Sequence, residues 1–275
     1  MLTKRVIANP RVRASGLVIV FLVLIALFAN VIAPHDPARQ YAGKVLKPPS
    51  AEFPLGTDDF GRDMFSRVVW GTRISLQVAA VAVLIAGTLG VFLGLMAGYF
   101  GGWLDTLIMR WFDVMLSFPT VVLALAIVTF LGNSLPNLML TIGIAQTPTF
   151  ARLVHGAVLS VRQNEYVEAG RVVGASNWRI IRKAILPNIA APIIIQASLS
   201  AGFAILVESG LSFLGLGVMP PTPSWGQMVS TARGYMDLVP SLVLWPSLAV
   251  AVTVLSFNML GDGLRDALDP RLIGR

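Results

Sequence analysis

The chain alternates between long stretches that carry no charged side chain and shorter stretches that are rich in charge. About 20 consecutive apolar residues suffice to cross a bilayer as a helix, and a helix satisfies its own backbone hydrogen bonds in lipid. The pattern therefore predicts an all-α integral membrane protein. The runs free of Asp, Glu, Lys and Arg are 14–35, 74–104, 114–151, 184–207, 209–232 and 238–261.

Two of these runs are not single membrane crossings. Run 114–151 is too long for a single span, and the turn-forming residues around Asn133 and Pro136 divide it. Run 209–232 is rich in Gly and Pro, which predicts mainly an external loop. Six transmembrane helices are expected, at about 16–34, 74–98, 106–131, 137–158, 189–209 and 240–260.

The first apolar run has one alternative interpretation, a cleaved signal peptide. Basic residues precede this run, and small residues surround Ala33 near its end. However, its apolar core is longer than the roughly 7–15 residues usual in a signal peptide. We therefore count it as the first membrane crossing.

Composition supports a membrane chain and narrows its chemistry. Of the 275 residues, 55% are hydrophobic and 13% are charged, about half the charged fraction of a soluble domain. Membrane topology explains the net charge of +7, so no nucleic-acid partner is expected. The absence of Cys excludes thiolate metal sites, and neither His35 nor His155 has ligand-spaced partners. No metal site is expected in this chain.

The distribution of basic residues predicts the orientation. Six crossings put both termini on one side, and a cytoplasmic placement puts 14 of the 21 Lys and Arg residues in cytoplasmic segments. Cytoplasmic loops carry the excess of Lys and Arg in membrane proteins, so the split favours cytoplasmic N- and C-termini. The same assignment makes residues 159–188 cytoplasmic.

The predicted spans contain few ionisable groups, which bears on the class of transporter. An ion-coupled carrier needs carboxylates or histidines inside its bundle, so their scarcity weighs against that class. The sequence contains neither G-x-x-x-x-G-K-[ST] nor H-E-x-x-H, so no ATP site and no catalytic residue is assigned. Polar groups in or near the spans are candidates for a solute pathway, and hydrogen bonding between helices explains them equally well. They are Asn133, Gln146, Gln196, Ser200 and Glu208.

The second span carries small residues at every fourth position: Ala86, Gly90, Gly94 and Gly98. Residues four apart share one helix face, and small residues there let a neighbouring helix approach closely. The stripe predicts close helix packing, within this chain in preference to a subunit interface.

Residues 159–188 are polar, yet patterned as two short helices. Gly174 is expected to end the first helix, Ser176 or Asn177 to cap the second, and Pro187 to end the pattern. A docking element for another protein and an amphipathic pair resting on lipid headgroups fit this pattern equally well. The expected packing face comprises Tyr166, Ala169, Gly170 and Val173 in the first helix, and Trp178, Ile181 and Ile185 in the second.

The same segment carries a recognisable motif. Glu168-Ala169-Gly170-x3-Gly174-x9-Ala184-Ile185-Leu186-Pro187 resembles E-A-A-x3-G-x9-I-x-L-P, the signature of importer permeases of the ATP-binding-cassette (ABC) class. Gly170 replaces an alanine of that signature, and Ala184 replaces an isoleucine. Further segments resemble the dipeptide, oligopeptide and nickel permease family, in particular the second of its two permeases. They are PHDP at 34–37, LGTDDFGRDMFSR at 55–67, SFP at 117–119, ESGLSFLGLGVMPPTPSWGQM at 208–228 and GDGLRDALDPRL at 261–272.

This resemblance implies an importer-type ABC permease core with one extra N-terminal helix. Residues 1–73 would hold a cytoplasmic tail, the first span and a periplasmic segment, and 74–275 the five-helix core with a cytoplasmic coupling loop at 159–188. The chain would lie in the bacterial inner (plasma) membrane as a multi-pass, non-catalytic subunit. By the same resemblance, the residues that couple it to an ATPase are Glu165, Glu168, Ala169, Gly170, Gly174, Ala175, Leu186 and Pro187.

The resemblance also implies partners. They are a second homologous permease, two cytoplasmic ATPases that bind ATP and Mg, and an extracytoplasmic substrate-binding protein, with no cofactor in this chain. Peptides are the commonest cargo of the family, and nickel, glutathione and other small solutes are alternatives. A secondary carrier and a non-transporting membrane scaffold are alternatives of other classes.

Two external segments have simpler interpretations. GTDDFGRDMFSR at 56–67 lacks the spacing of a calcium loop and predicts an N-capped helix on the outer membrane surface. The loop at 215–227 would lie at the external mouth, with Trp225 as an anchor at the membrane interface.

Overall fold

The computed structural model describes residues 6–268, and its elements in that range are helical apart from an isolated bridge between Thr57 and Asp63. Lys4, Arg5, Arg271 and Arg275, which contribute to the predicted orientation, lie outside the described residues, as does the end of the last motif. The helices are α1 (Pro10–Leu27), α2 (Ala29–Ile32), α3 (Met64–Phe100), α4 (Gly102–Leu116), α5 (Thr120–Leu131), α6 (Leu135–Val161), α7 (Glu165–Val172), α8 (Asn177–Ile180), α9 (Leu186–Phe213), α10 (Trp225–Ala232) and α11 (Ser241–Leu268).

The long helices run between two ends of one bundle. We call the end that holds residues 33–63 and 214–240 the loop end, and the end that holds residues 162–185 the elbow end. Arg11 at the start of α1 pairs with Asp266 at the end of α11, with 3.0 Å between Nη1 and Oδ2. Asn9 Nδ2 donates to Gly263 O nearby, at 3.2 Å. Because α11 runs antiparallel to α9, these two contacts lie at the elbow end.

The small-residue stripe of α3 lies against α6. A Cβ atom on Gly90 would approach Thr147 O to 2.8 Å, and one on Gly98 would approach Val158 Cβ to 2.9 Å. Any larger side chain at these positions would push the two helices apart. The stripe therefore serves packing within this chain, and the buried contact between α3 and α6 forms the centre of the bundle.

Not all of the six expected crossings are confirmed. Within residues 6–268, the helices that are long and apolar enough to cross a membrane are α1, α3, α11 and the continuous stretch Asn177–Phe213. Helices α4 and α5 meet that criterion only as a pair, bent by 94°. Helix α6 spans 27 residues, but it is not among the helices that meet the apolarity criterion, because it carries side chains such as Gln146 and Arg152.

The predicted span at 106–131 is not one continuous helix but two helices with a bend between them. Helix α4 ends at Leu116, and α5 begins at Thr120. Pro119 between them has no N–H to donate, and it disfavours helical backbone at Phe118. An ion pair between Asp113 and Arg152 ties α4 to α6, and His155 Nε2 lies 2.9 Å from Asp105 Oδ1.

The segment expected to be a separate capped helix is the beginning of α3. Asp63 is the N-cap, because its Oδ2 accepts a hydrogen bond from Ser66 N at 3.1 Å. The helix therefore starts before the predicted span at 74, and the expected boundary between residues 73 and 74 lies inside α3.

A buried charge cluster builds the loop end. The guanidinium of Arg67 is almost fully buried and lies 3.3 Å from Asp58 Oδ2 and 3.1 Å from Gln227 Oε1. Burial raises the pKa of Asp59, and the neighbouring carboxylate of Asp58 adds to this effect. Within the described residues, no group of three or more His, Cys, Asp or Glu side chains is placed to hold a metal ion.

Run 209–232 is more ordered than a loop, since it holds the end of α9 and all of α10. The prediction of Trp225 as an interface anchor is wrong. Its side chain is fully buried, and Nε1 donates to Val68 O at 3.1 Å. The indole lies against Gly71 of α3, where an added Cβ would come within 2.8 Å of the ring.

Candidate functional site: the elbow segment and a polar cavity

We call residues 162–185 the elbow segment. Helix α7 ends where Gly174 adopts φ +75°. There Gly174 N donates to Arg171 O and Ala175 N donates to Gly170 O, both at 3.0 Å. This is a Schellman motif, which favours glycine at the left-handed position. The two predicted helices and the break at Gly174 are therefore confirmed.

Two local features connect the elbow segment to α9. Ser176 is the cap of α8, since its Oγ accepts from Arg179 N at 3.4 Å. A π-helical turn at Ile181–Ile185 then runs directly into α9. Pro187 lies in the first turn of α9, so the expectation that it ends the pattern is wrong. A proline there removes one N–H donor, and a π-helical turn before it lets the helix continue.

The elbow segment is anchored by apolar side chains from both of its helices. These side chains pack against α3 and α6 in one cluster with Tyr99, Val154 and Val158. They are Val167, Ile180, Ile181 and Ile185, each buried. The prediction of a packing face was correct for Ile181 and Ile185.

Three other members of the predicted face point away from the protein. Val173 is 80% exposed and Trp178 is 67% exposed, and Tyr166 is about half exposed. The prediction that these side chains are buried was wrong. The face of each short helix that is buried is the one that contacts α3 and α6. Periodicity within so short a helix does not determine that face.

Polar contacts fasten the elbow segment to the last turns of α3. Tyr99 Oη donates to Asn177 Oδ1 at 2.9 Å, and Arg162 Nη1 donates to Gly98 O at 2.8 Å. The Arg171 guanidinium lies 5.6 Å from the centroid of the Tyr99 ring. Displacement of the elbow segment therefore displaces the end of α3 with it.

The surface of the elbow segment that faces away from the bundle is both apolar and charged. Among the candidate coupling residues, Glu165, Glu168, Ala169, Gly174 and Pro187 are exposed, and Gly170, Ala175 and Leu186 are half-buried. Large apolar side chains lie exposed beside these acidic groups. We call this surface the elbow face; it comprises Glu165, Tyr166, Glu168, Ala169, Val172, Val173, Gly174 and Trp178.

Three of the five pathway candidates meet in one cavity. Gln146 of α6 and Gln196 and Ser200 of α9 line a space of about 420 Å³, which we call the polar cavity. Gln146 lies near the midpoint of α6, so the cavity lies midway along the bundle and far from both ends. The remaining lining residues are Thr120, Thr149, Leu199, Phe203 and Asn258.

Three polar residues of this cavity were not predicted from the sequence: Thr120, Thr149 and Asn258. The one available signal was a polar side chain inside an otherwise apolar run. Thr120 is the first residue of α5, so the bend at Pro119 places it beside the middle of α6 and α9.

The amide groups of the polar cavity differ in their hydrogen bonding. Gln196 Nε2 donates to Ser200 Oγ at 3.0 Å. Gln146 is only 3% exposed, and its Nε2 has no hydrogen-bond partner within the part of the chain that the structure describes. A buried donor of this kind is rare in proteins and calls for an explanation.

The other two pathway candidates do not reach this cavity. Asn133 Nδ2 donates to Gly215 O at 3.3 Å and belongs to the loop end. Glu208 is fully buried, and its Oε1 accepts from Ser212 Oγ at 2.9 Å. The first contact joins the turn before α6 to the loop that follows α9, whereas the second lies within α9.

A helical membrane bundle with a firmly packed elbow segment and an uncharged polar cavity is the architecture of a transport permease component. The profile described as "Binding-protein-dependent transport system inner membrane component" matches residues 90–274. A second profile, "N-terminal TM domain of oligopeptide transport permease C", matches residues 2–49. The chain belongs to the family of inner membrane components of binding-protein-dependent transport systems, which confirms the resemblance to ABC importer permeases.

Individual relatives are similar over almost the whole chain. The dipeptide transport system permease protein DppC of Alkalihalophilus pseudofirmus is 49% identical over 94% of this chain and 85% of its own length. The di/tripeptide transport system permease protein DppC of Pseudomonas aeruginosa is 44% identical over 96% and 90%. The glutathione transport system permease protein GsiD of Pectobacterium atrosepticum is 44% identical over 94% and 86%.

Solved structures share the fold. The MetNI methionine ABC transporter has a chain that aligns with a TM-score of 0.63 at 19% identity, covering 75% of this chain and 98% of that one. A chain of an amino acid ABC transporter aligns with a TM-score of 0.56 at 16% identity, covering 72% and 92%. These alignments support the all-α permease fold.

Proposed function

We propose that this chain is the permease subunit of an ATP-driven importer and forms half of a translocation pathway for di- or oligopeptides. Two relatives, at 49% and 44% identity, are named for dipeptide and di/tripeptide transport. A third, at 44%, is named for glutathione, which is itself a tripeptide. A single cargo class, small peptides, therefore accounts for all three names.

The elbow segment is the observation that carries this proposal. Its exposed face offers Val173 and Trp178 to a partner, while Ile181 and Ile185 hold it against α3 and α6. A soluble ATPase that grips the elbow face would move these helices as a rigid body between two states. The force would pass through packed side chains, because the elbow segment is fastened to the last turn of α3.

A protein partner fits the elbow face better than lipid headgroups do. Its exposed groups carry charge of both signs, with Glu165 and Glu168 beside Arg171, and the anionic lipids of a cytoplasmic leaflet attract only the basic groups and repel the carboxylates. Exposed valine and tryptophan side chains beside acidic groups suit a groove on a protein. The candidate coupling residues therefore serve as the contact with the ATPase.

The proposed orientation follows from this contact. ATP is cytoplasmic, so the elbow end faces the cytoplasm and the loop end faces the external binding protein. Arg11 and Asp266 lie together at the elbow end, so the described ends of the chain are cytoplasmic as well. The excess of basic residues predicted for that side supports this orientation of a multi-pass inner membrane protein.

In this assembly the chain is non-catalytic and needs no cofactor of its own. Two ATPase subunits would hold ATP and Mg, and a second permease would complete the pathway. The polar cavity would line this chain's half of that pathway, with Gln146, Gln196 and Ser200 as the groups that solute meets. Asn133 and Glu208 would support the external mouth.

Purification and reconstitution test the proposal. The tagged chain should co-purify with two ATPase subunits and a second permease, and vesicles that hold this complex should accumulate labelled dialanine when given the binding protein and ATP. Matched vesicles with a non-hydrolysable ATP analogue should not accumulate it. Uptake that proceeds without nucleotide would contradict the proposal, as would a chain that purifies with no ATPase.

A further inference from the structure

We infer that the polar cavity recognises the main-chain amide groups of a peptide in transit and does not read the charge of its side chains. This inference rests on the proposed function and specifies what the cavity binds. The geometry that points to it is the convergence of Gln146, Gln196 and Asn258 on one space of about 420 Å³.

The lining chemistry matches a peptide bond. A carboxamide side chain both donates and accepts hydrogen bonds, as the N–H and C=O of a peptide bond do. The lining consists of amide, hydroxyl and apolar side chains. A charge in this position would favour cargo of the opposite sign strongly, because electrostatic interactions are strong in a low-dielectric interior. An uncharged lining accepts acidic, basic and neutral peptides alike.

Gln146 provides the second observation. Its side chain is almost completely buried and lines the cavity, and Nε2 has no partner within residues 6–268. Burying an amide donor without a hydrogen bond costs free energy, so a carbonyl oxygen that enters the cavity gains by pairing with it. A peptide supplies such an oxygen at every residue.

Gln196 is arranged for the complementary contact. Its Nε2 already donates to Ser200 Oγ at 3.0 Å, which leaves the Gln196 carbonyl oxygen as an acceptor for a peptide N–H. The volume lies within the roughly 300–1,000 Å³ typical of small-molecule sites. Thr149 and Phe203 on the rim are exposed, so the cavity is open at the surface of the chain.

The experiment uses the complete reconstituted transporter and two substrates. One is trialanine, and the other is its analogue in which esters replace both amides, so that it keeps the carbonyl oxygens and has no peptide N–H. Gln196→Leu should lower trialanine uptake about tenfold, the loss typical of one buried hydrogen bond. The same variant should change uptake of the ester less than twofold. For each substrate, the uptake rate of the variant is divided by that of the wild type. This ratio removes any difference in how well the binding protein captures the two substrates.

A second variant and a matched control complete the design. Gln146→Leu should lower uptake of both substrates about equally, because both keep the carbonyl oxygens that Gln146 would contact. It should also affect Ala-Lys-Ala and Ala-Glu-Ala to the same extent. Gln77→Leu removes the same amide from an exposed position of α3 outside the cavity and should leave every rate unchanged.

The outcomes separate the two proposals. If wild-type vesicles show no ATP-dependent uptake of trialanine, the proposed function fails. If wild-type uptake is normal and Gln196→Leu lowers amide and ester uptake equally, or lowers neither, only the inference about the cavity fails. The inference about the cavity is also overturned if Gln146→Leu lowers the uptake of Ala-Lys-Ala and Ala-Glu-Ala to different extents.

Discussion

Tyr99 Oη, in the last turn of α3, donates a 2.9 Å hydrogen bond to Asn177 Oδ1, in the first turn of α8. The Tyr99 ring also packs in the apolar cluster that holds Ile181 and Ile185. One residue of the longest helix thus makes both a polar and an apolar contact with the elbow segment. A firm joint of this kind is needed if a motor that grips the elbow face is to move the bundle.

Tyr99→Phe should loosen this joint without unfolding it. The ring and its packing remain, and one hydrogen bond worth about 1 kcal/mol is lost. We expect normal membrane insertion and a severalfold fall in peptide transported per ATP hydrolysed, measured in reconstituted vesicles. Tyr41→Phe, at the loop end, is the control and should leave this ratio unchanged. An equal fall in both variants would show that the Tyr99 contact has no special role.

Gly174→Asp should uncouple ATP hydrolysis from transport. Gly174 is exposed with φ +75°, and no atom lies within 4 Å of an added Cβ, so the cost within the chain is backbone strain alone. The new carboxylate would instead obstruct the docked ATPase. We expect a stable, inserted chain that retains little ATPase during purification and supports little uptake.

Gly43→Asp is the control for this variant. Gly43 has φ +73° and equally open surroundings, but it lies at the loop end. The two substitutions therefore cause similar backbone strain, but only Gly174→Asp lies on the surface proposed to contact the ATPase. Full uptake by Gly174→Asp vesicles would show that the elbow face does not couple ATP hydrolysis to transport.

Gly94→Ala should destabilise the bundle. An added Cβ would lie 3.0 Å from Ala151 Cα, and backbone on α6 cannot move aside without separating the two helices. We expect the thermal unfolding temperature of the purified chain to fall, by an amount that corresponds to about 1–3 kcal/mol. At Gly87, on the same helix, the nearest atom would be Phe150 Cε1 at an ordinary 3.8 Å. Gly87→Ala should therefore leave stability unchanged or raise it slightly, and a reversed order would contradict the packing of α3 on α6.

Cysteine labelling can test the proposed orientation, since the natural chain has no Cys. Val173→Cys introduces a thiol on the elbow face, and Val45→Cys introduces one at the loop end; both positions are exposed. In intact cells, a membrane-impermeant maleimide should label Val45→Cys and not Val173→Cys. Both should react once the membrane is opened. The opposite pattern would place the elbow face outside, where no ATP-driven motor can reach it.

Much of the architecture could be predicted from local sequence. The charge-free runs predicted the helices α1, α3, α9 and α11, because exclusion from water is a property of each run taken alone. Gly174 predicted the end of α7 for a similar reason, since only the backbone of neighbouring residues decides the Schellman motif. The signature around Glu168 pointed to the ABC importer permeases, and the family profile that matches residues 90–274 confirms this family.

The bend between α4 and α5 was not predicted, although Pro119 was visible. Proline is tolerated in membrane helices when neighbours satisfy the freed backbone groups, so its effect depends on the surrounding helices. Trp225 was misassigned for the same reason. An indole near a span end is equally suited to an interface and to a buried site, and here Gly71 of a distant helix makes room for it.

The sequence by itself determined that this chain is a helical membrane protein with a short two-helix elbow segment, because hydrophobic runs and glycine-dependent turns are local properties. Only the tertiary structure decided which elbow side chains remain exposed and that Gln146, Gln196 and Asn258 share a cavity. These three residues come from α6, α9 and α11, and their meeting depends on how those helices pack. Packing over such separations arises from the fit of whole helix faces, which no single stretch of sequence specifies.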